Sequence, residues 1–403
     1  MSGAPQVVVG LGYGDEGKGM TTAFLAEERS RRGGQPLVVR WNGGPQAAHN
    51  VRIRGQHHTF SQFGSGSFSG AGTLLSGKML VSPFALMSEA ADLMDLGLRP
   101  LTNLMIDRSA PLLLPVHATV NQELERSRGS KRHGSVGIGV GIARSYEEDM
   151  DDAGQRSLVP RVDDLSDPFT LADKISDMIT WLQDRFHVQL IMPLSEVRRL
   201  ATSLHTVYDD LMASGVIITS TGNVLYERRH QAEDLIFEGS QGVMLDLRYG
   251  YFPHVTYGWM LPDDVMSYAH MAELPKPSVI GCTRTYSTRH GFGPFPPEGS
   301  YDVEEPDNAT GVWQGAFRTG VLDIGTLAYT ANLLTPDAIS VSCMDLYPGR
   351  VITHYEDMHD GGMGKPIQES ATLEETLHMI EEASKAPIII GGHGKTIEDW
   401  KRI

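Results

Sequence analysis

Residues 10–20 read "GLGYGDEGKGM" and follow directly on the apolar run Val7-Val8-Val9. Gly12, Gly17 and Lys18 keep the G-x-x-x-x-G-K spacing of a phosphate-binding P-loop. In such a turn the backbone N–H groups, the start of the next helix and the lysine all face an anion. A P-loop continues with Ser or Thr, whose hydroxyl holds magnesium; here Gly19 stands in that place. Two acids, Asp15 and Glu16, sit inside the loop, where bound phosphate would repel them. A carboxylate there makes sense if a cation intervenes or if it takes a proton from the substrate. Asp15 therefore points to magnesium binding, general-base work, or both. The bland alternative is a plain strand–helix turn with an incidental lysine.

The flanking residues place this loop in a sheet. Val7–Gly10 reads as a buried strand, the stretch from about Gly19 to Arg31 as a helix, and Pro36–Trp41 as a second strand. That order opens a parallel sheet. Further strands are expected at Met79–Ser82, Leu104–Ile106, Leu235–Glu238, Pro277–Gly281, Ala338–Ser342 and, last, Pro387–Ile390. Pro83–Leu96 reads as an amphipathic helix and Asp167–Ser214 as mostly helical. The acidic Glu147–Asp152 and the segment Pro294–Asn308 read as mobile surface. The expected fold is α/β, with a mostly parallel central sheet, helices on both faces and a P-loop-like first loop, over a single domain spanning 1–403. Several strands end in Gly-rich or polar loops, where ligands of open α/β sheets gather.

Composition narrows the partners. The chain has 403 residues, 40% of them apolar and 21% charged, a normal globular mix. The formal net charge of −16 argues against duplex nucleic acid or an anionic membrane as the main partner. A small anionic substrate needs only a local positive pocket. Cys282 and Cys343 lie far apart, without metal or redox spacing, which fits a reducing compartment. No apolar run approaches the ~18 residues of a membrane span, and Met1–Gln6 lacks the features of a secretion signal. The expectation is a soluble, cytoplasmic protein.

Three more loops carry candidate chemistry. "WNGGPQAAHN" (41–50) follows the second strand, and His49 stands after small residues, as an acid or transition-state donor or as an ordinary histidine. "HGSVGIGVGIA" (133–143) is too rich in glycine for a packed element; it is an anion-cradling or ligand-covering loop, or a flexible hairpin. In "FEGSQGVMLD" (237–246), Gln241 offers both a donor and an acceptor, which suits the edge of an oxopurine or a structural turn.

Taken together, "GYGDEGKG", "GG…AAHN", "FEGSQG…LD", "YFPHVT", "TYSTRHGFGPFP" and "RTGVLD" resemble the adenylosuccinate synthetase family, in order and across almost the whole chain. The resemblance implies a ligase that joins the amine of L-aspartate to C6 of a 6-oxopurine nucleotide at the expense of a nucleoside triphosphate, with Mg2+ as cofactor. It implies Asp15 as the base that removes the ring N1 proton, and Asp15 with the Ala48 carbonyl as magnesium ligands. Lys18, with Gly14, Glu16, Gly17, Gly19 and Met20, would hold the donor phosphates. Gln46, Ala47, His49, Ser135, Val136, Gln241 and Thr256, together with Asp15, would hold the purine monophosphate. Asn308, Ala309, Thr310, Gly311 and Arg318 would hold aspartate, and Asp345, Gly392 and Gly394 the donor base. Catalysis would fall to Asp15, Lys18, His49 and Gln241. The family's homodimer implies an Arg reaching across from the partner subunit, with Arg144 and Arg156 as candidates here.

The chain departs from the family pattern at nucleotide-contacting positions. Gln46 replaces an Asn, Ala48 a Gly, Val136 a Thr, Ile138 an Arg and Cys343 a Lys. Tyr257-Gly258 replaces Ser-Ser, and "VWQGAF" (312–317) replaces an Arg-rich run. The segment Trp313–Arg318 resembles a branch, from phages with 2-aminoadenine DNA, that takes dGMP in place of IMP and tends to use an adenine donor. That resemblance places dGMP ahead of IMP, with ordinary adenylosuccinate synthesis and a non-catalytic nucleotide-binding paralogue as the alternatives. Asp345 suits a guanine donor base, whereas the lost lysine and the branch resemblance favour ATP or dATP.

Overall fold

The structure is a computed structural model and describes residues 3–303, 305, 313–356 and 364–403. Its strands, in chain order, are β1 (Gln6–Gly10), β2 (Leu37–Arg40), β3 (His49–Ile53), β4 (Gln56–Phe60), β5 (Gly72–Leu75), β6 (Leu104–Asp107), β7 (Ile217–Thr219), β8 (Leu235–Gly242), β9 (Ser278–Arg284), β10 (Tyr286–His290), β11 (Phe317–Asp323), β12 (Ala338–Ser342), β13 (Arg350–Tyr355), β14 (Pro366–Ser370), β15 (Ile388–Gly392) and β16 (Trp400–Arg402). Its helices are α1 (Lys18–Arg31), α2 (Pro83–Asp95), α3 (Pro115–Arg128), α4 (Val140–Asp152), α5 (Pro168–Phe186), α6 (Leu194–Ala213), α7 (Thr221–Glu227), α8 (Asp263–Met271), α9 (Ile324–Leu334) and α10 (Leu373–Ser384). Among the described residues no helix is long and apolar enough to cross a membrane.

The central sheet runs in the order β16-β15-β12-β9-β1-β8-β2-β5-β6-β7, parallel throughout except for the terminal β15–β16 pair. Its central strands are continuous apolar runs because both faces are covered. In β1, Val8 packs into a core with residues of α1 to α6, while Val7 and Val9 pack into a second core with residues of α7 to α10. From β1 the chain builds the sheet outward in one direction through β2, β5, β6 and β7, and later in the other through β9, β12 and β15. The carboxyl ends around β1 therefore frame the crevice where such sheets bind ligands. A smaller sheet, β10-β11-β13-β14, and the hairpin β3–β4 flank that edge.

Four expectations need correction. Met79–Ser82 is not a sheet strand: Val81 makes a single bridge to Leu112, and the strand beside β2 is Gly72–Leu75. Met79, Leu80 and Val81 are apolar because they are buried, not because they pair. Glu147–Asp152 is the second half of α4, held down by buried Tyr146 and Met150, with its acids turned to Arg144, Arg161 and Arg185. The segment "EGSQG" continues β8 to Gly242 rather than forming a loop. The last strand is β16, whose short charged sequence carries no alternation to read.

Candidate active site

The first loop turns on Gly17, whose φ of 80° lies in the left-handed region and sets the start of α1 without any side-chain cap. The first N–H groups of that helix are thus available to an anion. Glu16 does not face a ligand. It is buried beneath the loop, where Oε1 accepts from the Gly14 N–H at 2.6 Å and Oε2 lies 3.4 Å from Lys18 Nζ. Burial raises its pKa, against the pull of Lys18. Lys18 also donates to the Gly14 carbonyl at 2.7 Å, so the loop is braced from inside. Met20 sends its side chain into the core, which leaves only its backbone to face a phosphate.

Gly19 has a steric reason. A Cβ there would lie 2.7 Å from the Cβ of His49 and 3.2 Å from Ser65 Oγ. His49, the first residue of β3, packs over this point, so no hydroxyl-bearing residue fits after Lys18. The His49 ring is buried; its Nδ1 lies 2.6 Å from Glu238 Oε1 and its Nε2 lies 3.3 Å from the Ser240 carbonyl. Both partners are acceptors, so the doubly protonated ring would satisfy both. Burial pushes the His49 pKa down, and the pull of Glu238 offsets that only in part, so the ring sits below its usual value. Burial also works against the Glu238 carboxylate, but Arg40 and His49 together with the Ser65 hydroxyl outweigh it and lower its pKa to about 2. Glu238, ionised at neutral pH, thus stands behind His49 and fixes the ring's orientation. Neither Glu238 nor Arg40 was singled out from the sequence; the available signal was an acid and a base at the ends of two adjacent buried strands.

Asp15 points into the cleft with its side chain 32% exposed, and its Oδ2 lies 2.6 Å from Arg284 Nη2. Burial would raise its pKa; Arg284 and His290 outweigh burial and hold the carboxyl below its usual value. Arg284, at the end of β9, is a third residue with no local signal in the sequence.

A cavity of about 530 Å³ opens from Asp15. Gln46, Ala48, His49, Ser135, Val136, Gln241 and Thr256 all line it, so the residues expected to hold a purine monophosphate meet in one place. Ala47 is buried just behind them. Both polar atoms of the Gln46 amide are buried without a hydrogen-bond partner, an arrangement that suits a bound polar ligand. The glycine-rich third loop is not an open anion cradle. Glu125 accepts from the N–H groups of His133 and Gly134, and Asn121 from that of Gly139, which ties the loop to α3 as a cavity wall.

The expected donor side lies on the other flank of the same loop. Ser342, ending β12, donates to the Glu16 carbonyl at 3.3 Å. Exposed Asp345 follows, and Gly392 ends the neighbouring β15, with Gly394 two residues on. The expected aspartate residues Asn308, Ala309, Thr310 and Gly311 lie outside the described residues. Arg318 does not line the cavity: it pairs with Glu298 at 2.8 Å and donates to the Gly293 carbonyl at 2.9 Å. Arg144 is bound within its own chain to Glu147 and to the carbonyls of Gly43 and Lys78, whereas Arg156 is exposed beside Asp151.

Among the described residues no group of three or more His, Cys, Asp or Glu side chains could hold a metal ion. Asp15 and the backbone carbonyl of Ala48, two residues that line the cavity, are hard oxygen donors. Magnesium is commonly held by one or two carboxylates plus substrate phosphates, so this sparse donor set fits it.

Comparison with known proteins bears on the family and the fold. The family model described as adenylosuccinate synthetase matches residues 7–394. A relative called adenylosuccinate synthetase, from Xylella fastidiosa, is 29% identical over 357 residues, covering 86% of this chain and 78% of that protein. Among solved structures, fully ligated adenylosuccinate synthetase from Plasmodium falciparum superimposes with a TM-score of 0.81 at 20% identity, over 100% of both chains. The succinoaminodeoxyadenylate synthetase (PurZ) of cyanophage S-2L, bound to dGMP and dATP, gives a TM-score of 0.61 at 17% identity, over 99% of this chain and 95% of that one.

Proposed function

The chain belongs to the adenylosuccinate synthetase family of C–N ligases, and from that premise we propose that it joins L-aspartate to C6 of dGMP to give N6-succino-2-amino-2′-deoxyadenylate. The observation that carries dGMP over IMP is the wall of the cavity beside Asp15. No Lys or Arg occurs between Pro296 and Phe317, and Arg318 is committed to Glu298 and Gly293. Phe292 and Gln314 line the cavity instead. The two arginines that do line the cavity are committed within the chain, Arg128 to Glu125 and Arg289 to the carbonyls of His254, Phe292 and Pro294, an arrangement that offers a ribose 2′-hydroxyl little charged donation and suits a deoxyribose.

In this reading Asp15 takes the proton from ring N1, and the electron pair passes to O6. O6 attacks the γ-phosphorus of the donor, and the bond to the leaving diphosphate breaks. The aspartate amine then adds at C6, and phosphate leaves with O6. His49, oriented by Glu238, donates to the charge that develops on O6 and later on the departing phosphate. Lys18 and the N–H groups opening α1 hold the donor phosphates. Gln241 pairs with the purine edge, and Thr256 and Ser135 lie toward the 5′-phosphate. Magnesium, held by Asp15 and the Ala48 carbonyl, would neutralise charge on the donor phosphates. In a homodimer, exposed Arg156 would be the residue able to reach a second copy.

Phosphate release by the purified protein with L-aspartate tests the proposal, using IMP or dGMP as acceptor and GTP, ATP or dATP as donor. Turnover with dGMP is expected. Turnover with IMP alone would replace the proposal with ordinary adenylosuccinate synthesis, and nucleotide binding without phosphate release under every pairing would favour a non-catalytic paralogue.

A further inference from the structure

Arg284 ends β9 beside the phosphate loop, and nothing in the reaction as described above uses it. Its side chain is 9% exposed and lies between two carboxylates. Nη2 is 2.6 Å from Asp15 Oδ2, while Nη1 is 2.5 Å from Glu305 Oε1 and 2.8 Å from the Tyr286 phenol oxygen. Tyr286 donates in turn to Glu305. The guanidinium is therefore anchored on its far side and presents one end to Asp15. It already offsets the charge of the carboxylate to which a divalent ion would bind, and a second cation brought there alone would compete with it at short range.

We propose that Arg284 is a positioning residue, the resident counter-cation of Asp15. It fixes the carboxylate at the mouth of the phosphate loop and keeps a divalent ion off it until a donor triphosphate arrives. The triphosphate brings several negative charges of its own, which offset the ion and Arg284 together. Metal and donor then enter as one unit, and Asp15 is in place before either. The inference rests on Asp15 being the reaction's carboxylate.

Mn2+ serves as the probe, with free Mn2+ read by electron paramagnetic resonance on the full chain. Parent protein should bind Mn2+ at least about tenfold more weakly without nucleotide than with a non-hydrolysable triphosphate. Nucleotide-free Arg284→Met should bind Mn2+ at least about tenfold more tightly than the parent. Arg284→Lys should behave like the parent, and adding Asp15→Asn to Arg284→Met should cancel the gain. Removing the cation leaves Asp15 and Glu305 facing each other, which could cost folding. Arg284→Gln, neutral but still able to hydrogen-bond to Glu305, is therefore measured alongside, and thermal melts decide which of the two variants is read. Equal Mn2+ affinity in the nucleotide-free parent and the neutral variant overturns the inference. Phosphate release by the parent tests the ligase reading separately, since the Mn2+ comparison on nucleotide-free protein involves no acceptor.

Discussion

At Gly19 a single missing Cβ decides which kind of phosphate loop this is. A serine there would restore the usual P-loop hydroxyl, but its Cβ would press on His49, 2.7 Å away, and move the ring off Glu238. Gly19→Ser should therefore lower kcat by about a hundredfold, the scale of losing one transition-state donor. A phosphate-release assay checks this, and parental turnover in that variant would mean that His49 is not what the glycine protects. Glu238 carries the companion prediction. Its folded pKa of about 2 lies below the ordinary 4.5, so between those values the unfolded chain binds the extra proton. The stabilisation is therefore complete above about 4.5 and is lost as pH falls toward 2. Denaturant melts across that window should fall less steeply with acid in Glu238→Gln than in the parent. The same variant should lose about ten- to a hundredfold in kcat, because His49 has lost the carboxylate that orients it.

The elements that could be read from sequence were those whose pattern and burial agree. β1, β2, β12 and α1 fall within about a residue or two of expectation, because apolar runs bounded by Gly or Pro have one good reading in a parallel sheet. Met79–Ser82 defeats that logic, since its three apolar residues are covered by packing rather than paired in the sheet. A motif brings Asp15, His49 and Gln241 to one cavity, with Lys18 buried in the loop beside it. Glu238, Arg40 and Arg284 were not legible in the sequence, because their roles depend on side chains brought together from strands β2, β8 and β9 rather than on any local spacing. The acidic stretch of α4 is a third case: charge density reads as a solvated loop, while one apolar residue makes it a helix. Met150 is buried in the larger core. Met150→Ala should cost about 2–4 kcal/mol in a urea melt, whereas in a solvated loop the change would be nearly neutral.

Across the described molecule, the nine parallel strands of the central sheet bring their carboxyl ends to one edge, and the phosphate loop stands among them. Asp15 faces the cavity on one flank, while Glu16, through its carbonyl, meets Ser342 and the end of β12 on the other. On the proposed reading, acceptor and donor order the same short loop from opposite sides. The conformational entropy of fixing it is lost once, to whichever ligand binds first, and the second finds it already set. Binding of the two nucleotides should accordingly be cooperative, with the acceptor monophosphate binding several-fold more tightly in the presence of a non-hydrolysable donor. Linkage requires the donor analogue to gain by the same factor from the acceptor. Titration calorimetry in both orders measures both factors on the same protein. Independent binding would mean that the loop is rigid before either ligand arrives, with the internal brace of Glu16 and Lys18 sufficient to hold it. Weakening that brace by Glu16→Gln, which leaves Lys18 without its buried anion, should then increase the coupling, because more of the ordering is left for the ligands to do.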